Sequence, residues 1–444
     1  MPARNRYDVT EWPVGDPSTD IGEVINSIIA DIKDRQAVTP DGGRPGAVIS
    51  IPPGDYRLRT QVLIDISFLR IEGSGHGFTS SSIRFNVPEA EWPDLHELWP
   101  GGSRILVDLP AGPDAGESAR AAFLVEREGS PRISSVEFSG FSIDGLHFAA
   151  DGSELEPENT YANGKTGIYV ASANDSFRFN GMGFVYLEHA LTVCNADALS
   201  IHDNFIAECG SCIELRGWGQ ASKVTDNLIG AGFAGHSIYA ENHGGLLIAA
   251  NNVFPRGASS VELSGVTRSS ITNNRLHSFY PGMVVLAANS SENLVATNHF
   301  LRDLEPWAPF QHVDNGKDDD YGLLRIDGSN NSVIGNHFSE VVDAHTLRPA
   351  GSPPVVVRLV SGHGNYVANN HAVGLDVAAT SGESAFAAQV EALLTTGASG
   401  DLTITSVLVE AGSTRNTILD SGTDDQLSVD LAVNAVRATP GIGA

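Results

Sequence analysis

Positive charge is scarce in this sequence. Its 27 Lys and Arg stand against 54 Asp and Glu, a formal charge of −27 over 444 residues. Such a surface repels phosphate backbones and anionic lipid, which argues against nucleic acid and membrane as partners and leaves a neutral ligand such as a sugar open. Cysteine is scarcer still, and three residues cannot make a disulfide framework. No stretch approaches the roughly 18 apolar residues that a transmembrane helix needs. The N-terminal MPARNRYDVTEWPVGD lacks the apolar core of a signal peptide, so the expected location is the cytoplasm, or outside the cell if a leader has been removed. What the chain does have is 41% hydrophobic residues, enough to build a large core.

That hydrophobicity is periodic. Asn-centred turns recur at Asn204, Asn227, Asn252, Asn274, Asn298, Asn336 and Asn370, with spacings of 23, 25, 22, 24, 38 and 34. A period near 23 that tolerates insertions is the mark of a solenoid. Each repeat ends in a short alternating run such as IELR (213–216), IYAE (238–241) or VELS (261–264), which reads as strand. Stacked short strands with Asn at a corner predict an all-β, parallel β-helix, the Asn side chains bonding along the stack and tolerating a left-handed corner.

The whole of 1–444 reads as one such domain. Residues 21–37 have helical apolar spacing, coils run from about 47 to 375, an insertion spans about 376–410, and a final coil and tail fill 411–444. Within the insertion, ESAFAAQVEALLTT (383–396) has helical character and reads either as a flap over one face or as an end-cap.

The repeat also makes columns. Cys209 falls in the column of Leu187 and Gly232, and Cys212 in that of Ala190, so the Cys-x-x-Cys pair reads as filler. A redox pair should open a helix, and a zinc site needs a second ligand pair; neither is there, and no metal is expected. The acidic loop 314–322 lacks the spacing of a calcium-binding loop.

Asp197 and Glu208 fall at two corners, expected to point outward, with Asp197 over Gln220 and Gly245 and Glu208 over Ala231. Neither column offers a second carboxylate. Tyr186 stacks over Glu208, and Arg256 follows in the same column. Two carboxyl groups are what cleavage of a glycosidic bond requires, one protonated and one ionised, and partial desolvation by Tyr186 suits Glu208 to the acid role. A competing outward cluster is Glu214, Arg216, Tyr239, Glu241 and Glu262, which reads equally as a subunit interface. Tyr186, Gln220, Glu241 and Arg256 are the candidate substrate contacts.

The motifs GSGHGFTSSSIR (73–84), NGKTGIYVASANDSF (163–177), GMGFVYLEHAL (181–191), NADAL…NFIAECG (195–210), AENHGGLL (240–247) and NNVFPRG (251–257) resemble those of inulin fructotransferases and difructose dianhydride III hydrolases. The resemblance implies a right-handed parallel β-helix assembled as a homotrimer, with sites between protomers, no cofactor, and Asp197 and Glu208 as the catalytic pair. It implies a fructose-containing di- or oligosaccharide as substrate. The missing leader and the lid-like 383–396 favour the hydrolase, which opens the dianhydride to inulobiose, over a transferase releasing dianhydride III or I from inulin. A non-enzymatic β-helical carbohydrate-binding protein is the further alternative.

Overall fold

The computed structural model describes residues 5–36, 45–77, 101–109, 115–129, 132–145, 163–231, 235–254, 259–278, 281–302, 322–342, 355–376, 404–420, 426–428 and 432–438. They divide into two compact units, Met1–Gly232 and Phe233–Ala444. Both are parallel-β solenoids. The insertion segment 383–396, the acidic residues 314–321 and Arg256 lie outside the described residues.

In the first unit, each coil visits three sheets in turn. Arg178–Asn180 pairs with Ser200–His202 and then Lys223–Thr225 in the first sheet. Gly183–Val185 pairs with Phe205–Cys209 in the second, and His189–Cys194 with Ser211–Arg216 in the third. A short fourth ladder, through Asn174–Asp175, Ala196–Asp197 and Gly219–Gln220, links the third sheet to the first. The second unit repeats the scheme, for example His236–Glu241 on Ser259–Ser264 on Val284–Leu286.

In-register stacking puts like side chains over like inside. Phe138 lies flat on Phe179 at 5.3 Å between ring centres, and Phe300 on Phe338 at 4.4 Å. Each such ring, fully buried, contributes about 1.5–3 kcal/mol of transfer free energy.

The corners carry two ladders of buried Asn. Asn204 Nδ2 donates to Asn227 Oδ1 at 2.9 Å, and in the second unit Asn274 Nδ2 donates to Asn298 Oδ1 at 2.9 Å. In the second unit the residue that pairs with Asn274 is Asn251, not the expected Asn252: Asn251 Nδ2 donates to Asn274 Oδ1, whereas Asn252 lies on a strand opposite Arg275. Nor do the ladder residues adopt the left-handed backbone. The residue before each does, as at Asp203 (φ 57°), Asp226 (59°), Asn273 (56°) and Thr297 (55°). A second ladder, Asn293, Asn331, Asn365, Asn416 and Asn434, was not read from the sequence; its spacings, 18 to 51 residues, stray far from the period.

The N-terminal helix runs Pro17–Gln36, earlier than expected, with a break at extended Asp20 (φ −155°, ψ 95°). Asp20 makes the break because its carboxylate caps the next helical turn, accepting from Gly22 N, Thr60 Oγ1 and the backbone of Arg59. Burial works to raise that carboxyl, but these bonds outweigh it and hold it below its ordinary value. Ile21, Val24, Ile25, Ile28, Ile29 and Ile32 form the buried face, which packs on strands Gly54–Leu58 and Val62–Ile64. The helix covers a solenoid edge that would otherwise present unpaired apolar surface. No helix among the described residues is long and apolar enough to cross a membrane.

Candidate active site

Asp197 ends the short strand Ala196–Asp197, and its register partner on one side is Gln220, as the period predicts. On the other side it is Asp175, which corrects the expectation of no neighbouring carboxylate. Arg132 resolves the conflict between them: its Nη1 lies 3.1 Å from Asp197 Oδ2 and 3.9 Å from Asp175 Oδ2. Asp175 also accepts from Ser134 Oγ. Asp197 keeps partial exposure, 21% of its side chain.

Glu208 sits differently. It is buried, 5% exposed, and its φ is 53°. The left-handed residue belongs to a bulge. Register runs Phe205↔Leu228 and Ile206↔Ile229 and then shifts, so that Cys209 and not Glu208 opposes Ala231. The expected Cys209–Gly232 column shifts with it. A bulge re-aims a side chain at a strand end. Tyr186 does lie next to Glu208, one residue past the Val185–Ala207 pair, and is itself left-handed (φ 56°) and 1% exposed. Bulky residues hold that conformation only where their surroundings impose it.

The two acids are not brought together within one chain. Asp197 follows the third-sheet strand His189–Cys194, and Glu208 precedes the next one, Ser211–Arg216, so they flank opposite edges of that sheet. A six-residue strand separates those edges by about 20 Å, whereas paired glycosidase carboxylates stand roughly 5–9.5 Å apart.

Between those edges, on the outer face of the third sheet, lies a network whose partners the sequence reading missed. Glu214 is outward, as expected, yet only 6% exposed. Its Oε2 is 2.7 Å from His189 Nδ1, and its Oε1 accepts from Arg216 Nη2 at 2.8 Å. Glu117, from the loop before the 3-10 turn Ser118–Arg120, accepts from Thr192 Oγ1 and Arg216 Nη1, both at 2.6 Å. Burial would lower the His189 imidazole, but the Glu214 bond and the charges of Glu214 and Glu117 outweigh it and hold it above its ordinary value. Burial would likewise raise Glu214, and His189 with Arg216 pulls it below the usual range. Ligand atoms of Glu117, His189 and Glu214 lie within 4.8 Å of one another, close enough to share a cation, with Arg216 already supplying positive charge to both carboxylates. Nearby, burial and a bond with Cys194 push the Tyr169 hydroxyl up to about 12.

In the second unit, Tyr239 donates to Glu241 at 3.1 Å, and burial followed by the Glu241 charge pushes its hydroxyl up to about 12. Gln220 is exposed. Cys209 and Cys212 are free, fully buried thiols, which desolvation pushes well up from the ordinary value. Inert, neutral thiols in a packed interior are scaffold, as their columns indicated.

Comparison with known proteins gives the family. A profile of the β-helix repeat of inulin fructotransferase matches residues 297–440, and one of the periplasmic copper-binding protein NosD matches residues 130–308. The DFA-I-forming inulin fructotransferase of Arthrobacter globiformis is 47% identical over 377 residues, 84% of this chain and 90% of that protein. The DFA-IIIase of Arthrobacter chlorophenolicus A6, solved in complex with DFA-III, is 75% identical with a TM-score of 0.90, each chain covered in full at 100%. This chain belongs to the inulin fructotransferase/DFA-IIIase family. The same enzyme solved without its lid, in complex with GF2, has a TM-score of 0.86 and 71% identity over 99% of this chain and 100% of that one. Beyond the family, the A-module of an Azotobacter vinelandii mannuronan C-5 epimerase shares the fold at 12% identity and a TM-score of 0.55, covering 98% and 99% of the two chains.

Proposed function

We propose that this member of the family is a difructose dianhydride III hydrolase, with Glu208 as general acid and Asp197 as general base. The observation that carries the substrate is 75% identity, over the whole of both chains, to an enzyme solved with DFA-III bound. Identity to the DFA-I-forming transferase is 47%.

The reaction adds water across one fructosyl C2–O bond. Glu208 gives its proton to the departing oxygen, which leaves with the bonding electron pair. A tertiary, oxygen-stabilised cation remains at C2. Water attacks it and passes a proton to Asp197, whose charge also faces the cation. Inulobiose is the product, and the balance calls for no cofactor. Arg132 Nη1 donates to Asp197 Oδ2 at 3.1 Å and holds that carboxylate in place. Glu208 is buried beside Tyr186.

Because the pair flanks opposite edges of the third sheet, the working site lies between protomers of a homotrimer, one protomer's Glu208 edge facing its partner's Asp197 edge. Gln220, the exposed register neighbour of Asp197, contacts the sugar, and Glu241 and Arg256 are the further candidate contacts; Tyr186, 1% exposed, lies behind Glu208. The coil is right-handed, as about 98% of parallel crossover connections are. Residues 383–396 are the lid, a reading supported by the relative's having one.

The test is to incubate the protein separately with DFA-III and with inulin and to chromatograph the products. Inulobiose from the dianhydride is the expected result. Release of a dianhydride from inulin as the main reaction would make the chain a transferase, and no reaction with either would leave a binding protein. Glu208→Gln and Asp197→Asn should each lower turnover by roughly two to four orders of magnitude.

A further inference from the structure

The turns TNHF (297–300), GNHF (335–338) and NNHA (369–372) share more than the Asn that sets the repeat. In each, a histidine follows the ladder residue. Asn298 Nδ2 donates to Asn336 Oδ1 at 3.0 Å, and Asn336 Nδ2 to Asn370 Oδ1 at 2.9 Å, so the backbone after each Asn is held in register. His299, His337 and His371 therefore oppose one another on consecutive strands, exposed on the outer face, while Phe300 and Phe338 turn inward. Their ring centres are 5.0 Å apart at 77° for the first pair and 5.1 Å apart at 41° for the second.

Surface strands normally set opposite charges or apolar groups across from one another, since like charges directly opposite are destabilising. This column holds three chargeable rings, with Arg275 next in line before His299 and, among the described residues, no carboxylate in register with any of them. Each ring, when neutral, offers one nitrogen lone pair to a ligand approaching the column.

We propose that this column binds a late first-row divalent cation, Cu2+ most tightly, between adjacent imidazoles. Imidazole suits Cu2+, Ni2+ and Zn2+, and Cu2+ leads the affinity order. Two ring nitrogens at metal–nitrogen lengths of about 2.0–2.1 Å need only side-chain rotation from a 5 Å ring spacing that the sheet itself fixes. Water completes the coordination. His337 belongs to both pairs, and a neutral imidazole has one acceptor nitrogen, so the column holds one ion at a time.

The test titrates the full chain, stripped with chelator, with CuCl2 at pH 7.5 by calorimetry and electron paramagnetic resonance. Wild type should show a site with two nitrogen ligands. His337→Ala removes both pairs and should weaken that site at least tenfold, and the double variant His299→Ala/His371→Ala should do the same by leaving His337 alone. His299→Ala by itself should keep it. Circular dichroism verifies that each variant is folded. Unchanged Cu2+ affinity and spectrum in folded His337→Ala, or in the folded double variant, would overturn the proposal.

Discussion

Glu214 survives as a charge inside a packed sheet face because it is answered twice, by His189 at 2.7 Å and by Arg216 at 2.8 Å. This pairing sets the sign of its pH dependence. The folded His189 imidazole lies above its ordinary 6.5, so its contribution is full below about pH 6.5 and is lost as pH rises through the folded value. Glu214 lies below its ordinary 4.5, so its contribution is present above about pH 4.5 and is lost as pH falls through the folded value. The network therefore stabilises most between the two. Glu214→Gln should bring the His189 titration, followed by NMR, down to lower pH. It should also cost about 1–3 kcal/mol of stability near pH 6, less than a fully buried pair because His189 and Arg216 keep contact with water. An unmoved His189 titration would show that Glu117 alone sets it.

At the scale of the element, the Asn ladder does for the corner what backbone pairing does for the strand. Asn298 accepts from Asn274 N and Nδ2, both at 2.9 Å, and donates to Ile271 O at 2.8 Å. Asn298→Ala would strand these buried groups, and each unmet one costs about 1–3 kcal/mol. A loss of roughly 3 kcal/mol in chemical denaturation is expected. Asn252→Ala, one residue from a rung, should stay within about 0.5 kcal/mol. Equal losses in the two variants would mean that the ladder's bonds add nothing beyond surface packing.

For the whole molecule, the separation of Asp197 from Glu208 turns a question of mechanism into one of assembly. Sedimentation at micromolar concentration should give a trimer, and a monomer mass would remove the shared site. Complementation is more direct. Co-expressed Asp197→Asn and Glu208→Gln chains, each inactive alone, would place an intact Asp197 opposite an intact Glu208 at about a quarter of interfaces if chains mix at random. Recovery of about that fraction of wild-type turnover is expected. No recovery, in verified mixed oligomers, would place both acids in one chain's site. Deleting 383–396 should leave assembly intact while hydrolysis of the dianhydride collapses, since closure excludes water and holds the substrate; unfolding on deletion would make the segment a cap.

How much of this was legible beforehand depended on the distance over which each feature is specified. Parallel strands stack in register, so a residue one period away is a neighbour in space. That rule by itself yielded the solenoid, the Asp197–Gln220 pair, Tyr186 beside Glu208 and the buried role of Cys209 and Cys212. It also contained Asp175, 22 residues before Asp197, which went unread. The rule fails where the chain breaks its own count. The bulge between Ile206 and Cys209 inserts one residue and shifts the next pairing, and the choice of Asn251 over Asn252 turns on which side chain the corner buries. Nor does periodicity reach Glu117, which closes on Thr192 and Arg216 from 75 and 99 residues away. The sequence determined what repeats, because backbone pairing carries a local pattern from coil to coil. Only the tertiary structure decided which loop lies across a sheet and which charges it brings together, because those contacts arise from packing between segments that share no period.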